Sequence, residues 1–187
     1  YAAYHGPEGL KRIARRLHVL AALLAAGARR LGWKPSGEPF FDTVRLSADP
    51  KKVQAALAAA RERRINLRRL DAVTLVVALG ETTGEEDVED VIESLNGGKK
   101  TGFSLKELQA QTQIGPKLAR RSGFLKHPVF NRYHCETEML RYLKRLETKD
   151  LSLTAAMIPL GSCTMKLTAA SEMIAVTWPE FGKIHPY

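Results

Sequence analysis

With 187 residues, 44% of them hydrophobic, the chain has apolar material for one ordinary domain, or for one domain and part of another, without disulfide staples. A net charge of +9 admits anionic partners, yet the densest basic run, Arg61 to Arg69, straddles the end of a helical pattern and the start of an alternating one and lacks interleaved aromatics, which argues against a nucleic-acid face. The longest apolar window, Val19 to Ala26, is far short of a membrane span, and two cysteines, Cys135 and Cys163, are too few for a disulfide framework, so free thiols in a reducing compartment are expected.

Taken in order, Gly6-Pro7-Glu8 reads as a helix start, with Pro in the first turn and an acid near the positive end of the dipole. Leu10, Ile13, Ala14, Leu17, Ala21 and Leu24 then recur at helical spacing opposite Lys11, Arg12, Arg15 and Arg16, which predicts a long amphipathic helix to about Leu31. His5 and His18 are read as a loop residue and a helix-flank residue. Gly32 to Pro39 is a breaker-rich loop, and Phe40 to Leu46 alternates as a strand. Asp49-Pro50 opens a second helix to about Arg64.

Ile65 to Leu70 and Thr74 to Leu79 read as two strands joined by a turn at Asp71-Ala72. Glu81 to Leu95 is a third helix, with Thr83 as its cap, acids in its first turn, and Val88, Val91, Ile92 and Leu95 on its apolar face. The pattern β-α-β-β-α predicts a small α/β unit with an antiparallel or mixed sheet and helices on one side. The acids Glu85, Glu86, Asp87, Glu89 and Asp90 are read as a solvated helix start, not a cation site.

After the Gly- and Lys-containing linker from Asn96 to Gly102 comes a short helix marked by Leu105 and Leu108, then a basic loop. His127 to Asn131 is expected to be extended because proline restricts the residue before it. His127, His134 and Cys135 match no standard zinc spacing. A further helix is predicted from about Thr137 to Leu146, with Met139, Leu140, Leu143 and Leu146 as its apolar positions.

The most informative stretch is Met157-Ile158-Pro159-Leu160-Gly161-Ser162-Cys163-Thr164-Met165-Lys166-Leu167. Pro159 and Gly161 disfavour a regular element, so Gly161 to Lys166 is expected to be a loop. Its amides, the hydroxyls of Ser162 and Thr164, and the Lys166 ammonium are the donor types of an anion cradle; the competing reading is a hydroxyl-capped helix entry. The second Gly and Gly-Lys-Ser/Thr ending of a Walker loop are missing. Cys163, with no histidine at a telling spacing, is expected to pack as a small apolar residue.

This stretch, together with Tyr4 to Leu10, Glu81-Thr82-Thr83, His127 to Asn131, Glu136 to Tyr142 and Thr177-Trp178-Pro179-Glu180-Phe181, resembles the P protein of the glycine cleavage system, the pyridoxal-phosphate-dependent glycine decarboxylases. The chain departs from that pattern at Ala155-Ala156 and Thr168, where family members often carry His-Ser and Asn.

The resemblance implies an internal piece of a fold type I, aspartate-aminotransferase-like enzyme. Residues 1–31 would close a first large domain, 32–102 form a small α/β domain, 103–150 a connector, and 151–187 the opening of a second pyridoxal-phosphate half. It implies pyridoxal 5'-phosphate as cofactor, its Schiff-base lysine being downstream of His185 in a His-Lys motif that this chain lacks. Ser162, Thr164 and His185, with Cys163 and Lys166, would face cofactor or substrate. The implied reaction is decarboxylation of glycine with the cofactor as electron sink, then aminomethyl transfer to the lipoyl group of the H protein. The parent is expected to be a homodimer, cytoplasmic if bacterial and in the mitochondrial matrix if eukaryotic, without nucleic-acid or membrane partners. The alternative is a non-catalytic interface and scaffold piece.

Overall fold

The computed structural model describes residues 1–37, 39–110, 112, 115, 117–149, 152, 169–182 and 184. They belong to two compact units, Tyr1–Phe130 and Asn131–Tyr187.

The first unit is built on helix α1, Ala2–Arg30. Gly6 breaks its regularity with φ 63 and ψ −179, a conformation open in practice only to glycine, so the continuous helix starts at Pro7, as its sequence predicts. Beyond Arg16 the helix is buried on a broad face comprising Leu17, His18, Leu20, Ala21, Leu24, Ala25 and Ala28. That face is wider than the single stripe read from the sequence, because α1 packs against both a sheet and a second helix. His18 is therefore a buried residue, not the flank residue expected: its ring stacks on Phe41 at 5.8 Å and 4°, and its Nδ1 lies 2.9 Å from the Phe41 carbonyl. A carbonyl can only accept, so Nδ1 carries the proton, leaving Nε2 buried without a partner among the described residues.

Strands β1 (Lys34–Ser36), β2 (Thr43–Ser47), β3 (Arg68–Arg69) and β4 (Thr74–Ala78) form one antiparallel sheet in the order β1-β2-β4-β3. Register pairs Val44 with Val77 and Leu46 with Leu75, and all four side chains are buried, while Arg45 opposite Val76 is on the outer face. This is the alternation of a half-covered sheet. Strand β1 falls inside the stretch expected to be only loop: Gly32 (φ 78) turns the chain back after α1, and Pro35 is tolerated on an edge strand. Beside it Trp33 is 2% exposed, its indole Nε1 donating to the Leu95 carbonyl at 3.1 Å.

Helix α2, Pro50–Glu62, opens as expected on Asp49, whose carboxylate accepts the Lys51 amide at 2.9 Å. Helix α3 is Glu85–Leu95 and starts later than expected. Thr83 is not its cap: the Thr83 hydroxyl accepts the Gly80 amide at 3.0 Å, and Asp87 accepts the Gly84 amide at 2.7 Å. The two helices pack through alanines and valines and are joined at the rim by Arg63, 2.6 Å from Glu93. Helix α1 approaches α3 at Gly27, where an added Cβ would be 2.7 Å from the Ile92 Cδ1.

After α3, Gly97 and Gly98 (φ 70 and 83) close the helix end. The short helix expected next is one 3-10 turn, Leu105–Glu107, whose Leu105 joins the core. The Pro128–Phe130 segment is another 3-10 turn, where an extended stretch was expected. Proline constrains the residue before it, but its own φ is compatible with a turn, and here the Phe130 amide donates to the His127 carbonyl at 3.0 Å.

In the second unit α4, Glu136–Glu147, agrees closely with the expected helix. It is followed by α5, Ala170–Ile174, a 3-10 turn, Ala175–Thr177, and α6, Pro179–Gly182.

Candidate functional site

Ser162, Cys163, Thr164, Lys166 and His185, the residues expected to face cofactor or substrate, lie outside the described residues. Two other polar arrangements are formed by residues that the structure does describe.

The first secures the start of α1. The Tyr1 hydroxyl donates to Glu81 Oε2 at 2.5 Å, and Arg16 donates to the carbonyls of Thr83, at 2.7 Å, and Glu81. The Glu81 carboxylate holds the Tyr1 phenol above its ordinary pKa, since ionising the phenol would break that hydrogen bond and set two anions together. Tyr1 and Tyr4 both contact the His5 ring, at 4.3 and 5.6 Å. The Gly6 kink then turns the chain into the main helix, and Gly9 faces His5, whose Cβ would lie 3.0 Å from an added Cβ. Glu81-Thr82-Thr83 is thereby tied to Tyr1 and Arg16, the residues on either side of Tyr4 to Leu10, although it lies more than sixty positions further along the chain. Periodicity carries no trace of that join, because Arg16 reads only as one charge on a solvated helix face.

The second is an open groove of about 540 Å³ in the second unit. Arg132 and Tyr133 border it from the segment before α4, and Glu138, Arg141, Lys144 and Arg145 border it from the helix. Tyr133 stacks on Tyr142, with centroids 4.1 Å apart and planes 11° apart. Arg145 Nη2 donates to the Tyr133 hydroxyl at 2.7 Å, and its guanidinium lies 5.5 and 5.8 Å from the two ring centroids. Arg132 is 5.7 Å from the Tyr133 centroid, and Lys144 pairs with Glu147 at 2.7 Å. The result is a net-positive surface in which one guanidinium is fixed by a hydrogen bond and two ring faces. The sequence signal was present as arginines four apart on one helix, Arg141 and Arg145, but nothing in it shows that Tyr133 folds back onto them.

No group of three or more His, Cys, Asp or Glu that could hold a metal occurs among the described residues. His127 instead accepts the Val129 amide on Nδ1 at 3.2 Å, and Cys135 is an exposed thiol at the start of α4. No helix among the described residues is long and apolar enough to cross a membrane.

Residues 1–95 match the family model described as glycine cleavage system P-protein. Over its whole length the chain is 52% identical to the glycine dehydrogenase (decarboxylating) of Nostoc sp. and 50% identical to that of Photobacterium profundum. It is 48% identical to the mitochondrial glycine dehydrogenase (decarboxylating) of Pisum sativum. The chain spans 20%, 20% and 18% of the length of these three relatives.

Proposed function

Because this chain belongs to the glycine cleavage system P-protein family, we propose that it is part of a pyridoxal-phosphate-dependent glycine dehydrogenase (decarboxylating) that releases carbon dioxide from glycine and passes the aminomethyl group to the lipoyl arm of the H protein. The observation that carries this reading is the alignment of the entire chain, at about half identity, with proteins named for that activity.

The domain reading is of a fold type I enzyme in which residues 1–31 close a large domain, 32–102 form the small domain, 103–150 connect, and 151–187 open a second half. Dimerisation of the parent belongs to the same proposal. The cofactor, when bound, supplies the electron sink for the pair left behind as carbon dioxide departs.

This chain's contribution is to bind and orient. The hydroxyls of Ser162 and Thr164, the loop amides and the Lys166 ammonium form a donor set suited to the two anions that must be held, a cofactor phosphate and a glycine carboxylate. His185 adds a ring that can donate or accept near neutral pH, and Cys163, which stands between the two hydroxyl residues in the sequence, is a further candidate to face cofactor or substrate. Donors fixed before the substrate arrives cost no reorganisation as charge shifts.

The test is Ser162→Ala with Thr164→Ala in the complete polypeptide. Hydrogen bonds to a charged group are worth about 1.5–3 kcal/mol each, so the cofactor Kd should rise roughly tenfold or more and glycine turnover should fall in parallel. Unchanged cofactor affinity together with unchanged turnover would remove these residues from the site.

A further inference from the structure

We infer that the polar face of α4, with Arg132 and Tyr133 before it, docks a carboxylate-rich protein surface; the partner's identity rests on the function proposed above, in which that surface belongs to the lipoylated carrier.

Helix α4 has two unlike sides. Leu143 and Leu146 project on one, flanked by Leu140, and these three are 58% (Leu140), 51% (Leu143) and 43% (Leu146) exposed. Arg141, Arg145 and Thr148, spaced by four and three residues, project on the other. The relatives are about five times the length of this chain, so most of such a protein lies outside it, and an apolar stripe of this size is the side a longer polypeptide covers. A helix covered on its leucine side presents the opposite side, and that side is the basic groove.

The groove's chemistry selects carboxylates spread over a surface. Arg141 and Arg145 lie about 6 Å apart along the helix axis, at about 1.5 Å rise per residue, and Arg132 approaches from another segment. Cations so distributed suit several carboxylates in a row better than one compact anion. No glycine-rich backbone loop is among the lining residues, and the one that comes from the first turn of α4, Glu138, brings a carboxylate, so the groove is unlike a phosphate cradle. Arg145 is held by the Tyr133 hydroxyl and by two rings, so little side-chain freedom remains to be lost when a carboxylate meets its guanidinium. Glu138 gives the groove one anion that repels a lone negative ion but can meet a basic residue at a protein partner's edge.

The test is direct binding to the complete polypeptide, read as a Kd without turnover, with the lipoylated carrier and, separately, a poly-glutamate peptide as probes. R141E/R145E should raise the carrier's Kd about tenfold at low salt and flatten its salt dependence. A folded double variant that binds both probes as tightly as the wild type overturns the proposal. If the peptide binds in a salt-sensitive and variant-sensitive way while the carrier does not, the docking surface stands and the carrier reading falls. If neither probe binds the wild type, the docking proposal is overturned whether or not glycine is turned over. Loss of affinity for a DNA duplex with carrier binding intact also overturns it. Should R141E/R145E fail to fold by circular dichroism, Y133F removes only the hydroxyl that orients Arg145, and about a threefold rise in the carrier's Kd is expected. An unchanged Kd for Y133F then counts against the proposal.

Discussion

Gly6 carries a sharp backbone constraint. At φ 63 and ψ −179 its backbone occupies a region from which a Cβ is excluded, and the following proline cannot relax because its φ is fixed by the ring. Gly6→Ala must therefore strain the backbone or uncouple the first turn of α1 from the rest of the helix. Strain of this kind costs about 1–3 kcal/mol, and an unfolding free energy from denaturant titration that falls by less than about 0.5 kcal/mol would show that the turn reorganises freely. Glycine before proline at a helix start was legible in the sequence. The angle at Gly6 was not, because it follows from where Tyr1 and Tyr4 must sit beside His5 and Glu81. His18 shows the same limit, since its burial depends on Phe41 arriving from another element.

Among the elements, the Asp49-Pro50 start of α2 was legible in local chemistry, whereas Thr83, expected to cap α3, bonds the Gly80 amide instead. Asp49-Pro50, the glycines after α3 and the acids opening α3 each act within a few residues of themselves. What the sequence concealed was set by partners: β1 exists because β2 offers it a free edge, and β3 is only two residues long because pairing with β4 ends there. The turn between β3 and β4 offers a test. Asp71 Oδ1 accepts the Val73 amide at 2.8 Å, and that bond, helped by Thr74 and the Arg45 charge, holds the carboxyl below its ordinary pKa against a smaller opposing effect of desolvation. A lowered folded-state pKa means that the turn gains stability above the unfolded pKa and loses it as pH falls through the folded one. The Val73 amide resonance should thus titrate with a midpoint below about 3.9, the usual aspartate value, and Asp71→Asn should abolish that step. A midpoint at or above the usual value would mean that the hydrogen bond does not form in solution.

For the whole molecule the decisive fact is where the core lies. The buried apolar side chains run from Leu17 to Leu105, on α1, the sheet, α2, α3 and the turn at Leu105, while the described side chains of α4 to α6 include none that is buried. Sequence patterning could not show this. Leu140, Leu143 and Leu146 line one face of α4 as Val88, Val91 and Ile92 line one face of α3, yet the α3 set is sealed against neighbours and the α4 set faces outward. Periodicity says which side of a helix wants cover, and only the fold says whether cover has arrived. Cooperative unfolding needs a shared core, so a piece comprising residues 1–130 should melt in one calorimetric transition with an enthalpy on the order of 90 kcal/mol, at roughly 0.7 kcal/mol per residue. A piece comprising residues 131–187 should show no such transition and should bind a hydrophobic dye through the exposed leucines together with Ile174, Trp178 and Phe181. A broad, non-cooperative melt of the 1–130 piece would show that its core is completed by chain from elsewhere in the polypeptide, and would make α1 a shared element between two domains instead of the spine of one.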